Sequence, residues 1–350
     1  MKRFILAAAL TLAACNPGGS GPGPTPPTTP PTTPPEACPT PTPSERWVED
    51  NNMGTAAGLP ADFFTRLDTP ATWANARAVT SAYVLRNSSM GAISDADLAR
   101  MAILFRAVGI TVAVNDGAAT WAHHRLPALT FKGSIQKITR MLDAGLDVQH
   151  IAMQSTLSKP LPGPDGTTLE YTLATRYLDI AAYMKAISAA FPDRDFEFGL
   201  IDASPAMMPD TYESQWRGLQ THLRGEGLAL DFVHMDLAMV HARKELRGLS
   251  WQGFKRVVGE ARALGWETGF YLHEGPPGGA DSDATWRRKM LDGIDSFLAV
   301  CGDMEHWVVA SWYEWPQLST PDTPTAATTF GVLTAMDQKL TAKGHPNPKD

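Results

Sequence analysis

Seven short apolar segments of this 350-residue chain end in side chains that can do chemistry. In order, the ends are Arg86-Asn87, Asn115-Asp116, Gln154, Asp202, His234-x-Asp236, His273-Glu274 and Trp312-Tyr313-Glu314. One carboxylate after an apolar run means little, because Asp often caps the helix that follows. Carboxylates at five of the seven ends are informative, because in a barrel successive strand ends converge on one mouth. Two carboxyl groups flanking a bond can act as acid and as nucleophile or base, which is what cleavage of a glycosidic linkage requires. Sugars also need apolar ring faces to stack on and amides or imidazoles to bond their hydroxyls. The last segment, Val308 to Pro316, supplies Trp312, Tyr313 and Trp315 within four positions.

The elements that would position these ends alternate regularly. Expected strands are Ala78–Leu85, Ile110–Val114, Val148–Met153, Phe196–Ile201, Phe232–Met235, Thr268–Leu272 and Trp307–Ser311, each short and apolar as strands buried on both faces must be. Amphipathic helices separate them. Ser94 is placed to cap one, with Leu98, Met101, Ala102, Phe105 and Val108 on its buried face and Gly109 as its stop. Gly145 and Gly265 end later helices, and Trp286, Met290, Ile294 and Phe297 mark another core-facing stripe. Strand–helix alternation at this length implies parallel strands with crossover helices. The reading is a (β/α)8 TIM-like barrel, either irregular or with its remaining strand between Trp47 and Thr72. The rival is an open doubly wound sheet, which usually carries a glycine-rich phosphate turn after its first strand; Arg86-Asn87-Ser88-Ser89-Met90 is not one.

The βα order and the Trp312 segment resemble barrel glycoside hydrolases at the level of the superfamily. That resemblance implies that Trp312 floors a sugar subsite. One retaining clan uses an Asn-Glu pair ending strand four and a Glu on strand seven. No Asn-Glu pair stands at a strand end here, so the chain departs from that clan. Families acting on α-linked sugars use an Asp on strand four with a later acid. Asp202 and Glu274 fit that scheme if seven strands are counted, and a further strand before Ala78 would move Glu274 to strand seven. Asp202 and Glu274 are therefore the expected catalytic pair, with Asp236 near enough to perturb one of them. Expected substrate contacts are Trp312, Tyr313, Glu314, His273, His234, Asn115, Asp116, Gln154 and Arg86. The expected function is hydrolysis of an envelope, capsule or exopolysaccharide without a cofactor. An inactive glycan-binding or export-scaffold barrel, and a metal-dependent hydrolase, are the alternatives. His234, Asp236 and His241 could help bind a metal, but the His-x-His of barrel metallohydrolases is missing. No Gly-x-Ser-x-Gly elbow occurs either. The adjacent His123-His124 reads as a loop pair, and the Gly/Pro-rich run after Glu274 as a wall or lid.

The N-terminal stretch sets the address. Lys2 and Arg3 precede an apolar run that ends in Leu12-Ala13-Ala14-Cys15. This resembles the lipobox of bacterial lipoproteins, which implies a signal peptide over 1–14 and a lipidated Cys15. Asn16, rather than Asp, then points to the outer membrane. Residues 15–45 read as a disordered Pro/Thr-rich tether, and 46–350 as the barrel. A net charge of -7 argues against nucleic acid, so attachment to a membrane would be through lipid, and a monomer is expected. Of three cysteines, Cys38 and Cys301 remain. A disulfide between them would pin the tether to the barrel face opposite the mouth.

Overall fold

The protein, here a computed structural model, is described over residues 38–349 apart from 53–54, 122–126, 158–160, 163–167, 170–171, 203–211, 239–249 and 274–279. Cys15, most of the tether, His123-His124, His241 and Glu274 with the loop after it lie outside the described residues. Eight parallel strands close a barrel. They are β1 (Glu45–Asp50), β2 (Ala82–Arg86), β3 (Thr111–Asp116), β4 (Val148–Gln154), β5 (Glu197–Asp202), β6 (Phe232–Ala238), β7 (Glu267–His273) and β8 (His306–Ser311). β1 pairs with both β2 and β8 and so closes the ring. The chain is a (β/α)8 TIM barrel, and the barrel sheet itself has no open edge.

The strand expected between Trp47 and Thr72 is β1, which starts two residues earlier, at Glu45. It has no apolar run because its polar residues find buried partners. Arg46 faces the helices, where it bonds Asp337 (2.9 Å) and the carbonyl of His345 (2.8 Å). Asp50, on the same side, accepts from Arg66, Tyr83 and Ser319. β2 is shorter than expected: Ala78 and Val79 belong to the helix Ala74–Val79, and the strand begins at Ala82. The helix ends follow the sequence signals. Ser94 Oγ accepts the Asp97 N–H at 3.1 Å to cap Asp95–Arg106. Gly109, Gly145 and Gly265 take φ of 66°, 87° and 86° where helices stop, a conformation a Cβ resists.

Alternate residues of each strand point into the barrel. Trp47, wholly buried, plugs its centre. Three imidazoles surround that ring: His150 and His306 with centroids at 4.6 Å, and His234 at 4.9 Å. His234 and His306 share a hydrogen bond of 3.0 Å. Toward the base rim, His150 pairs with Glu197 (2.7 Å) and His306 with Glu267 (3.1 Å). Two glycines make this plug fit. A Cβ at Gly199 would stand 2.2 Å from the Phe232 ring, and one at Gly269 2.3 Å from that of His234.

The disulfide Cys38–Cys301 is formed, with a Cα–Cα distance of 5.3 Å. Cys301 lies between the helix Asp283–Leu298 and the start of β8, on the base side. Thr42 bonds Asp303 nearby (3.0 Å), and the Ser44 N–H bonds the Pro346 carbonyl (3.0 Å). The chain therefore joins the barrel at its base, opposite the mouth. Among the described residues no helix is long and apolar enough to cross a membrane.

Candidate active site at the barrel mouth

Side-chain parity decides which strand-end residues reach the mouth. On β5, Ile201 packs in the inner cluster while Phe198 and Leu200 pack in the outer one. Asp202 continues the outward series. It is wholly buried, and its Oδ2 accepts the Leu157 N–H at 2.9 Å, which ties the loop after β4 to the end of β5. The expectation of Asp202 as half of a catalytic pair is thus corrected: one step of strand turns it away from the opening. The same parity corrects Asp116. Its carboxylate accepts from the Ala118 N–H (2.9 Å) and the Tyr183 hydroxyl (2.7 Å), on the helix side of β3. His234 points inward but lies two residues below the mouth, buried against Trp47, so it belongs to the plug and not to a substrate surface. Glu314 is exposed, beyond the end of β8.

The residues that do converge form a chain of contacts across the mouth. Glu49 of β1 is its anchor, and the sequence reading missed it. It is wholly buried. Asn115 Nδ2 donates to both of its oxygens (3.1 and 2.9 Å), Asn51 Nδ2 donates to one, and Arg86 Nε lies 3.4 Å away. Burial pushes the Glu49 carboxyl above its usual range. Arg86, Asn115 and Trp312 oppose the shift, and Asp236 adds a smaller push upward. Arg86 in turn donates to Gln154 Oε1 (3.1 Å) and lies over the Trp312 ring, 4.8 Å from its centroid.

Trp312 is only 3% exposed. The His273 ring lies 4.6 Å from its ring at 33°, and Tyr271 approaches at 5.1 Å. The indole was expected as an open sugar floor; it is instead the platform on which Arg86 and His273 rest. His273 Nε2 donates to Asp236 Oδ1 at 2.5 Å, which joins β6 to β7. β8 has ended at Ser311, so strict alternation no longer holds. Tyr313, half-buried, turns to the inner cluster, with its ring 6.2 Å from His273. Among the described residues, the Tyr271 hydroxyl has no hydrogen-bond partner. Among the described residues no three of His, Cys, Asp and Glu gather to hold a metal ion.

A cleft of about 330 Å³ opens beside this chain, between the ends of β2, β3 and β4 and the helix Pro127–Asp143. Arg86, Asn87, Asn115, Gln154 and Lys137 line it, with Gly117 and Gly133 leaving it open. Polar side chains thus look onto open space where a barrel places its chemistry.

No protein family matches the chain, and no curated protein matches it in sequence. Solved structures do match. Xylanase10C from Cellvibrio japonicus, in complex with xylopentaose, superposes with a TM-score of 0.50 at 10% identity, over 88% of this chain and 68% of that one. A psychrophilic glycoside hydrolase family 10 endo-β-1,4-xylanase (TM-score 0.47, 11% identity, 83% and 96% covered) and a D-psicose 3-epimerase (0.47, 12%, 86% and 99%) are also similar. Likeness at this identity establishes the barrel fold, and no more.

Proposed function

We propose that the mouth binds a polysaccharide and that Asp236 and Glu274 are the acid pair that cleaves its glycosidic bonds. The observation that carries this reading is the convergence of Arg86, Gln154, Asp236 and His273 on one rim, supported from below by Glu49, Asn115 and Trp312. Asp236 ends β6 at the mouth, where His273 fixes its orientation. Glu274 directly follows β7, the seventh strand of the ring, which is where the resembling retaining barrels carry a nucleophile. Glu49 has no access to a ligand; it is a positioning residue, the buried counter-charge that holds Arg86 in place. The chemistry is protonation of the leaving oxygen by one carboxyl while the other attacks or activates water.

A second reading, a barrel that binds glycan without cleaving it, rests on one observation. Asp236 is closed onto His273, and Glu49 onto Asn51, Asn115 and Arg86, so neither of these acids is open. Release of reducing ends from a panel of envelope and capsule polysaccharides separates the two. Glu274→Gln and Asp236→Asn should each lower turnover at least ~100-fold with binding kept. Binding with no turnover in the unaltered protein establishes the second reading and removes the first. We further propose that Cys15 is lipidated and holds the domain at the outer membrane. Cys15→Ser should then move the protein to the soluble fraction, and unchanged membrane association would remove that proposal.

A further inference from the structure

The cleft beside the mouth has a chemistry of its own. The chain carries a net charge of -7, yet among the described residues lining this space the ionisable side chains other than Asp116 are cations, Arg86 and Lys137. Among the described residues the one carboxylate in its wall, Asp116, is only 3% exposed and committed to Tyr183 and Ala118. Arg86 already has Glu49 as counter-ion. Lys137 makes no hydrogen bond or ion pair among the described residues and stands half-exposed on its helix. Among the described residues, two side-chain oxygens on the wall, Asn87 Oδ1 and Asn115 Oδ1, are buried without a hydrogen-bond donor. Buried acceptors left unpaired are uncommon and call for a partner. The site therefore offers a cation to an anion and amide oxygens to hydroxyl groups, within a space the size of one sugar ring and its neighbours.

We infer that this cleft is a subsite for an acidic sugar, a hexuronate unit of the polysaccharide, whose carboxylate meets Lys137 and whose hydroxyls meet Asn87 and Asn115. The inference rests on the proposed carbohydrate reading of the mouth and names its substrate class. A neutral sugar would leave Lys137 unused. An inorganic anion would leave both amide oxygens unpaired. Only a ligand that carries both groups satisfies the wall. Carboxylate and ammonium form a charge-assisted hydrogen bond.

The test is titration of the full chain, by calorimetry, with oligogalacturonate and with the matching neutral galacto-oligosaccharide. The acidic ligand should bind at least about tenfold tighter, a preference that weakens as salt is raised. Lys137→Gln should reduce the ratio of the two affinities to within about twofold, and Lys137→Arg should restore it. Lys137 is on the outer part of a helix, so both variants should fold, and their melting curves check this. Equal affinity for the two ligands, or a preference that survives Lys137→Gln, overturns the subsite and leaves the carbohydrate reading standing. Binding of neither ligand overturns both. Tight, Lys137-dependent binding of the acidic oligomer with no cleavage upholds the subsite and removes the catalytic assignment.

Discussion

The two ends of the barrel hold carboxylates in opposite ways. At the base, hydrogen bonds from His150 and His306 hold Glu197 and Glu267 below the usual carboxylate range, against a burial that acts the other way. At the mouth, burial wins, and Glu49 is pushed up in spite of Arg86 and Asn115. A depressed carboxyl adds stability in its ionised form, whereas a raised one costs stability when ionised. The base thus spends its ionisable groups on holding the barrel shut around Trp47. The mouth keeps a costly buried anion to hold Arg86 over Trp312, and the fold gains nothing obvious from it. A group held at a cost to stability is a candidate for a role beyond the fold.

The comparison can be broken from the base first. Reduction of Cys38–Cys301, or Cys38→Ser, should lower stability by about 2–4 kcal/mol, because the bridge closes a long loop in the unfolded chain. Turnover at low temperature should hardly change. Denaturant titration with and without reductant reads the first effect. A loss of turnover with stability intact would mean that the base reports to the mouth.

Acid should find the base next. His234 lies far below its usual imidazole range, chiefly through burial, with His306 and His150 adding smaller terms of the same sign; beyond these stand Glu267 and Glu197. Below pH 6.5 the unfolded chain takes up a proton at this position that the folded one refuses. Stability should therefore fall as pH drops from 6.5, with a slope of about 1.4 kcal/mol per pH unit. Glu197 and Glu267 have the other kind of acid limb. Their contribution is present above the ordinary glutamate value of 4.5 and is lost as pH falls through their lower folded values. His234→Gln should remove the upper limb and leave the lower one. An unaltered curve between pH 6.5 and 5.5 would show that His234 is not the group.

The smallest expected effect has the opposite sign. Because the folded Glu49 carboxyl is raised, its share of stability is fully present below the ordinary glutamate value of 4.5 and is lost as pH rises through the folded value. Glu49→Gln should flatten that decline. It should also raise KM for an acidic oligomer by about tenfold through a misplaced Arg86, with a lesser effect on kcat. A fall in kcat alone would argue that Glu49 touches the reacting atoms.

Much of this was legible in the sequence, for physical reasons that also explain the failures. Apolar runs followed by capped helices and glycine stops mark any parallel α/β fold, and Ser94, Gly109, Gly145 and Gly265 do here what their chemistry requires. β1 was hidden because Glu-Arg-Trp-Val-Glu-Asp spends its alternate residues on a buried Asp337 pair, an Arg66 pair and the mouth, leaving only Trp47 and Val48 apolar. Its polar end, Glu49-Asp50-Asn51-Asn52, resembles the ends of β2 and β3 and was the available signal. Asp116 and Asp202 were misplaced because strand position along the chain does not reveal which face a terminal residue takes; that needs the register of the inner cluster. Asp236, His273, Arg86, Asn115 and Gln154 stand at the rim because each shares parity with an inward-facing neighbour two residues earlier: His234, Tyr271, Val84, Ala113 and Ala152.

One paired measurement tests the division of labour most directly: kcat and melting temperature for Asp236→Asn and His234→Gln, side by side on a substrate the unaltered protein cleaves. The account predicts that Asp236→Asn loses at least ~100-fold in kcat and melts close to the unaltered protein, while His234→Gln keeps kcat within about twofold and loses roughly 1–3 kcal/mol of stability. Near-full turnover in Asp236→Asn, or a collapse of turnover in a well-folded His234→Gln, would contradict it.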